Sequence, residues 1–227
     1  MRLITLDAGN TSLDIVFWRH KTPKRHIKLS YEELKSLKKL PLRGVGISVK
    51  PSVNEKLKEI FPRVKLLKKE EIPIEVHYET YQTLGIDRIA LAYAVREFYS
   101  KNSVIVSCGT ALFIDLLLEG KFQGGLITLG IGKKLSCLFS LTEGIKNLRL
   151  EKLSVEIGKS TKECVIGGII KESEEFVKGT IESWKRTFKK DFKVVITGGE
   201  GYLLKHLGIW DPIVLHKGLR KLFDFYR

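Results

Sequence analysis

Three short runs in this chain place glycine among carboxylate, amide and hydroxyl side chains, the residue types that bind a phosphate chain. Asp7-Ala8-Gly9-Asn10-Thr11 sets a carboxylate beside an exposed glycine and two polar donors, and Ser12, Leu13 and Asp14 continue it. Where no Cβ intervenes, backbone N–H groups can close on a phosphate, and a carboxylate can hold Mg²⁺ directly or through water. The same residues also make an ordinary Gly-Asn hairpin turn, and the run alone does not choose between the two. An echo about 100 residues later, Ser107-Cys108-Gly109-Thr110, shifts the balance. Two such turns facing each other would clamp one phosphate chain. The third run, Val194-Val195-Ile196-Thr197-Gly198-Gly199-Glu200, reads as a buried strand ending in a glycine pair before a helix. There Gly198 and Gly199 let the chain lie flat against an adenine or ribose, although a tight strand-to-helix connection uses the same residues.

A fourth run offers acceptor chemistry. Gly85-Ile86-Asp87-Arg88 stands at the start of a helical pattern, where an Asp is ordinarily a cap and an Asp-Arg neighbour pair a surface charge pair. For transfer to an alcohol, a carboxylate within hydrogen-bond reach can take the hydroxyl proton while a fixed arginine holds an anionic substrate. Other runs lack what their chemistry needs. Gly158-Lys159-Ser160-Thr161 looks like the end of a P-loop, but Leu153 occupies the position of the first glycine, and Ile127 does the same before Gly130-Ile131-Gly132-Lys133. His20, His26, His77, His206 and His216 show no metal-ligand spacing and read as surface residues. Cys108, Cys137 and Cys164 are too few and too far apart for a disulfide framework or a CxxC site, so they read as reduced.

The elements that must position these runs follow from periodicity. At 227 residues the chain exceeds the usual size of one undivided core, which predicts two lobes, 1–102 and 103–227. Each opens on a hairpin: Leu3 to Leu6 with Leu13 to Trp18, then Ser103 to Val106 with Ala111 to Leu118. Helices are predicted over Tyr31 to Leu40, Ser52 to Phe61, Ile86 to Tyr99, Lys134 to Thr142 and Thr161 to about Lys189, with a last one at the end. Strands are predicted at Gly44 to Val49 and Val194 to Ile196, and the stretch from Pro62 to Leu84 shows no clear period. The net charge of +14 would suit nucleic acid, but lysine and arginine are interleaved with glutamate along the helices, the pattern of solvated faces, so a nucleic-acid partner is not expected. The Lys/Glu-rich, amide-poor balance suits life at high temperature. No apolar stretch approaches the roughly 18–20 residues of a membrane span, and Met1-Arg2 runs into Leu3-Ile4 without a signal-peptide pattern. A cytoplasmic protein with no membrane partner is expected.

Two phosphate-type hairpins followed by a Thr-Gly-Gly turn is similar to the succession of phosphate 1, phosphate 2 and adenosine motifs in actin-like ATPases. That likeness implies an α/β fold of two ribonuclease H-like lobes, of duplicated topology, flanking a nucleotide cleft. More narrowly, the motifs together resemble type III pantothenate kinase over nearly the whole chain. Asp7 to Thr11 is similar to that family's opening Asp-x-Gly-Asn-Thr. Ser48-Val49-Lys50-Pro51-Ser52 resembles its Ser-Val-x-Pro segment, and Tyr78 stands seven residues before Gly85-Ile86-Asp87-Arg88, as in the family. Gly109-Thr110-Ala111, Gly124-Gly125, Gly158 to Thr161, Thr197-Gly198-Gly199 and Gly218-Leu219 follow in the family's order.

The resemblance implies phosphorylation of pantothenate by ATP, the first step toward coenzyme A. It implies Asp87 as proton acceptor, with Tyr78, Gly85, Ile86, Asp87, Arg88 and Thr161 binding pantothenate. ATP would be bound by Asp7, Ala8, Gly9, Asn10, Thr11, Ser12, Leu13 and Asp14 together with Gly109, Thr110, Gly198 and Gly199. It further implies a homodimer, Mg²⁺, and K⁺ or NH₄⁺. The chain departs from the pattern at Ser107, which replaces the carboxylate that holds the monovalent cation in the family. Leu129 and Tyr81 likewise replace prolines. The fold also resembles transcription-accessory proteins related to the kinase, a non-catalytic alternative that Ser107 and the basic charge would suit. The intact Asp7 and Asp87 favour the enzyme.

Overall fold

The computed structural model describes residues 2–226. In the first half, β1 (Arg2–Ala8) and β2 (Ser12–Arg19) form the expected hairpin, and β3 (Thr22–Ser30) extends it antiparallel. β4 (Arg43–Ser48) and β5 (Val64–Leu66) then add in parallel on the other side of β1, giving the order β3-β2-β1-β4-β5. The second half repeats this. β6 (Ser103–Cys108) and β7 (Ala111–Leu118) pair as a hairpin, β8 (Lys121–Leu129) lies outside β7, and β9 (Lys193–Thr197) and β10 (Ile209–Trp210) add in parallel beside β6. Read as β8-β7-β6-β9-β10, it is the same strand order twice, so the duplication inferred from the hairpins extends to whole sheets.

Alternation in β1 and β2 turns Ile4, Leu6, Leu13 and Ile15 into one core with Leu34, Leu57, Ile60 and Phe61 from the helices α1 (Tyr31–Lys35) and α2 (Asn54–Ile60). Each such buried aliphatic stabilises the fold by about 1.5–3 kcal/mol. The second core joins Val104, Val106, Ile114 and Ile196 to Ile131 and Leu135 of α4 (Ile131–Leu141) and Ile170, Val177 and Ile181 of α5 (Gly168–Phe188).

Several boundaries differ from the sequence reading. α1 stops at Lys35 instead of Leu40. Ser30 starts it with a capping box to Glu33; beyond Leu34 the apolar Leu37 and Leu40 pack on the core only partly buried and outside the helix, and Pro41 follows. The Ser52 start becomes a 3₁₀ turn, Pro51–Val53, ahead of α2. The helix expected from Thr161 passes through a π-helical turn, Glu163–Gly167, before α5. β3, with an exposed and basic surface, and β5, with only three residues, gave no alternation to detect.

The described residues divide into two compact units, but not as two consecutive segments. One unit holds the residues up to Phe98, residues 120–122 and the stretch from Ile213 onward; the other holds Tyr99–Glu119 and Gln123–Pro212. The terminal helix α6 (Val214–Phe223), expected in the second lobe, therefore belongs to the first. It packs on α3 (Ile86–Phe98), where Gly218 lies so close to Ala94 that an added Cβ would stand 2.5 Å from the Ala94 Cβ.

His216, expected at the surface, is instead buried on α6 at 3% exposure, 2.8 Å from Thr5 Oγ1, which also accepts a hydrogen bond from Trp18 Nε1 at 2.9 Å. Burial lowers its pKa to about 3. The ring is neutral, and with Thr5 Oγ1 already accepting from Trp18, the tautomer protonated at Nε2 lets the Thr5 hydroxyl donate to Nδ1.

Candidate active site

The first unit gathers three carboxylates. In the β1–β2 register Asp7 lies opposite Asp14, which puts both on one face of the sheet. Asp14 is held by His26 Nε2 at 3.0 Å and Lys28 Nζ at 3.6 Å. Burial alone would raise its carboxyl, but the His26 bond and the Lys28 charge outweigh it and hold the pKa below the ordinary value. For Asp7 the Lys28 charge is the smallest of the influences and does not offset the others. Its Oδ1 is shut off from solvent without a hydrogen-bond partner. Burial, and then the charges of Asp87 and Asp14, push its pKa up to about 8. An orphaned carboxylate oxygen of this kind fits a divalent cation, which would satisfy it and favour its ionised form.

The turn between the strands is braced from its carbonyl side. Gly9 N–H donates to Ser12 O at 3.0 Å. The Tyr31 hydroxyl donates to Gly9 O and to Ser12 O, the latter at 3.2 Å, and Lys50 Nζ donates to Asn10 O at 3.2 Å. Burial, followed by the negative charges of Asp7 and Asp14, raises the Tyr31 phenol to about 12. Ala8 and Leu13, expected in the nucleotide-binding set, turn their side chains into the core, so only their backbone groups can serve a ligand.

The Gly-x-Asp-Arg run opens α3. Asp87 Oδ1 accepts the Arg88 N–H at 2.9 Å, and burial raises its carboxyl, opposed by that bond and by the Arg88 charge. A Cβ on Gly85 would collide with Asp87 Oδ1, which explains the glycine two residues before the carboxylate. Arg88 is no surface charge: it is 6% exposed, with its guanidinium 5.8 Å from the Tyr78 ring centre and 5.4 Å from that of Phe122. The two rings lie 6.2 Å apart. Phe122 reaches this place through the Val76–Phe122 bridge. Tyr78, Gly85, Asp87 and Arg88 thus come together, and Asp87 is near enough to raise Asp7. Ile86 is buried in the helix start.

In the second unit Gly109 N–H closes the β6–β7 turn on Ala111 O at 2.9 Å, and Gly130 N–H bonds Thr110 O at 3.0 Å. Gly198, at φ +86, lies on Cys108, whose carbonyl also accepts Glu200 N–H at 3.0 Å. Gly198 is thereby brought against the strand end that leads into Gly109 and Thr110. Glu200 Oε2 accepts Gly132 N–H at 3.0 Å in the first turn of α4. Cys108 is buried and its thiol is raised to about 12, so it is not a nucleophile. Ser107 lies within β6, opposite Phe113 and Thr197, and Thr161 is exposed ahead of the π-turn.

Tyr31, Lys50 and Phe122 went unnoticed in the sequence. Each acts from a separate strand or turn, and only the Ser-Val-x-Pro context of Lys50 gave a signal.

A family model for the type III pantothenate kinases matches residues 3–183. The chain belongs to that family. A type III pantothenate kinase of Aquifex aeolicus is 51% identical over 226 residues, covering 100% of this chain and 99% of that protein. One from Christiangramia forsetii is 30% identical over 213 residues, covering 88% and 87%. Among solved structures, a chain named for the Baf family of transcriptional activators, from Campylobacter jejuni, superposes with a TM-score of 0.72 at 21% identity, covering 99% of this chain and 98% of that one. The ethanolamine utilization protein EutJ of Carboxydothermus hydrogenoformans gives 0.54 at 12% identity, covering 98% and 90%. At these identities the likeness establishes the actin-like ATPase fold and nothing about activity. The full-length match to the pantothenate kinases favours the enzyme over the non-catalytic alternative.

Proposed function

We propose that this chain transfers the γ-phosphoryl group of ATP to the primary hydroxyl of pantothenate, giving 4′-phosphopantothenate. The observation that carries the reading is the Asp87 carboxylate, fixed by Arg88 N–H beside the Tyr78–Arg88 stack in the same unit as the Asp7 turn. Asp87 takes the hydroxyl proton as the alcohol oxygen bonds to phosphorus and the β–γ bridging bond breaks, releasing ADP. A buried carboxyl of raised pKa is a stronger acceptor than one in water. Arg88 and Tyr78 hold the pantothenate carboxylate and orient the alcohol, with Thr161 as a further contact. The turn from Asp7 to Asp14 with Gly109 and Thr110 binds the phosphates, and Gly198 and Gly199 border the adenosine.

Kinases of this kind use Mg²⁺ with ATP, and Asp7 suits it through its orphaned oxygen; the bound ion supplies positive charge to the phosphoryl oxygens. The monovalent cation is a different matter. Ser107 offers a neutral hydroxyl within a strand. A hydroxyl can coordinate K⁺ but brings none of the negative charge of a carboxylate, and no step is assigned to such an ion.

A cytoplasmic homodimer is the form proposed. The exposed Leu126, Ile127 and Leu129 of β8 and Leu141 of α4 support a second copy, and no described helix is long and apolar enough to cross a membrane. Sedimentation should give about twice the 25.9 kDa chain mass; an active monomer contradicts the dimer. Incubation with ATP, Mg²⁺ and pantothenate, read by mass spectrometry, should yield phosphopantothenate, and ATP binding without product would contradict the assigned acceptor.

A further inference from the structure

Lys50 occupies the variable position of its Ser-Val-x-Pro segment, so the family pattern gives it no role. Its place in the first unit is nonetheless firmly set. β4 runs parallel to β1 with Ser48 opposite Ala8, which brings residue 50 past the same end of the sheet as the Gly9–Thr11 turn. Val49 N–H donates to Ala8 O at 3.0 Å, Lys50 N–H donates to Ser48 Oγ at 3.2 Å, and Pro51 starts the following 3₁₀ turn. The ammonium group then sits on the turn itself, 3.2 Å from Asn10 O and 5.0 Å from the centre of the Tyr31 ring, whose hydroxyl braces Gly9 and Ser12.

What holds this cation matters for what it can do. Neighbouring cations are spent on carboxylates: Lys28 lies 3.6 Å from Asp14 Oδ2, and Lys56 and Lys58 pair with Glu59 and Glu55. Lys50 is held by a carbonyl and an aromatic face, and forms no ion pair among the described residues. Its charge is therefore not cancelled, and a phosphate oxygen competes well against a neutral carbonyl for an ammonium group.

We infer that Lys50 is a phosphate-binding residue, supplying from this chain the fixed positive charge that a monovalent cation would otherwise bring to the nucleotide. The inference rests on the assignment of the Gly9–Thr11 turn to the ATP phosphates, and it accounts for a neutral Ser107 in an intact kinase.

The test uses the full-length protein, with Lys50→Met and Lys50→Arg beside the wild type and Na⁺ holding ionic strength constant. Wild-type turnover should change less than about twofold on replacing Na⁺ by K⁺ or NH₄⁺. Lys50→Met should lose about tenfold or more in kcat/KM for ATP, with KM for pantothenate and the unfolding midpoint unchanged. Part of the loss should return on adding K⁺ or NH₄⁺, and Lys50→Arg should retain most activity. Wild-type kinetics in Lys50→Met, or a wild type already dependent on K⁺, overturns the inference. Direct titration with Mg·ATP separates nucleotide binding from transfer to pantothenate. Failure to phosphorylate pantothenate would sink the acceptor assignment, while weakened ATP binding in Lys50→Met would still uphold the phosphate contact.

Discussion

Gly85 acts on chemistry without itself carrying any. Because a Cβ there would collide with Asp87 Oδ1, Gly85→Ala must move either the carboxylate or the start of α3. Turnover should fall by about tenfold or more, the scale of a misplaced catalytic group, while ATP binding and the urea midpoint stay close to wild type. Unchanged kcat would show that the carboxylate position is not critical. His216 makes a second residue-scale prediction, on stability. Its folded pKa of about 3 lies below the ordinary value of 6.5, so the unfolded chain binds more protons in that interval and stability falls as pH drops through it. One such group contributes a slope of up to about 1.4 kcal/mol per pH unit. His216→Asn, which keeps an acceptor for Thr5, should show a shallower loss of urea stability between pH 6.5 and 5; an identical slope would mean that the ring titrates freely. At this scale the sequence showed which residue types could do phosphate chemistry, because Asp7, Asp87 and the glycines lie in contiguous runs. It could not show that Arg88 and His216 are buried, since their partners Tyr78, Phe122 and Thr5 are brought in by distant parts of the chain.

Hairpins were legible as elements because alternation and a glycine turn are local signals, and both β1–β2 and β6–β7 fall where they were expected. β3 was not, because an edge strand exposed along most of its length needs no apolar alternation; Lys24, Arg25 and Lys28 instead guard it against edge pairing. The boundary of α1 and the π-turn before α5 depend on which side chains find a core, which no window of sequence reports. The Thr197–Gly199 turn, proposed to border the adenosine, can be tested through its first glycine. Gly198 combines a φ of +86 with close approach to the Cys108 backbone. Gly198→Ala should cost about 1–3 kcal/mol and weaken ATP more than pantothenate, measured as urea midpoint and separate KM values. An equal rise in both KM values would place the turn away from the nucleotide.

Across the whole molecule the repeated strand order makes the fold an instance of one plan used twice, and the two hairpins were enough to suggest it. The return of α6 to the first unit was not legible, because a terminal amphipathic helix carries no mark of which sheet will cover it. Many lysines along the helices are paired with glutamate, as in Lys35–Glu32 and Lys178–Glu174, and the excess of basic residues leaves a net charge of +14. A positive net charge suits an enzyme that must attract a polyanionic nucleotide. In the proposed reaction this nucleotide's γ-phosphoryl group passes to an alcohol whose proton goes to Asp87. The most direct measurement is the rate of phosphopantothenate formation by wild type and Asp87→Asn under saturating Mg·ATP, with ATP affinity measured on both proteins. ATP affinity should be equal in the two proteins and turnover in the variant lower by about 100-fold or more; near-wild-type turnover in Asp87→Asn would remove Asp87 from the proton transfer.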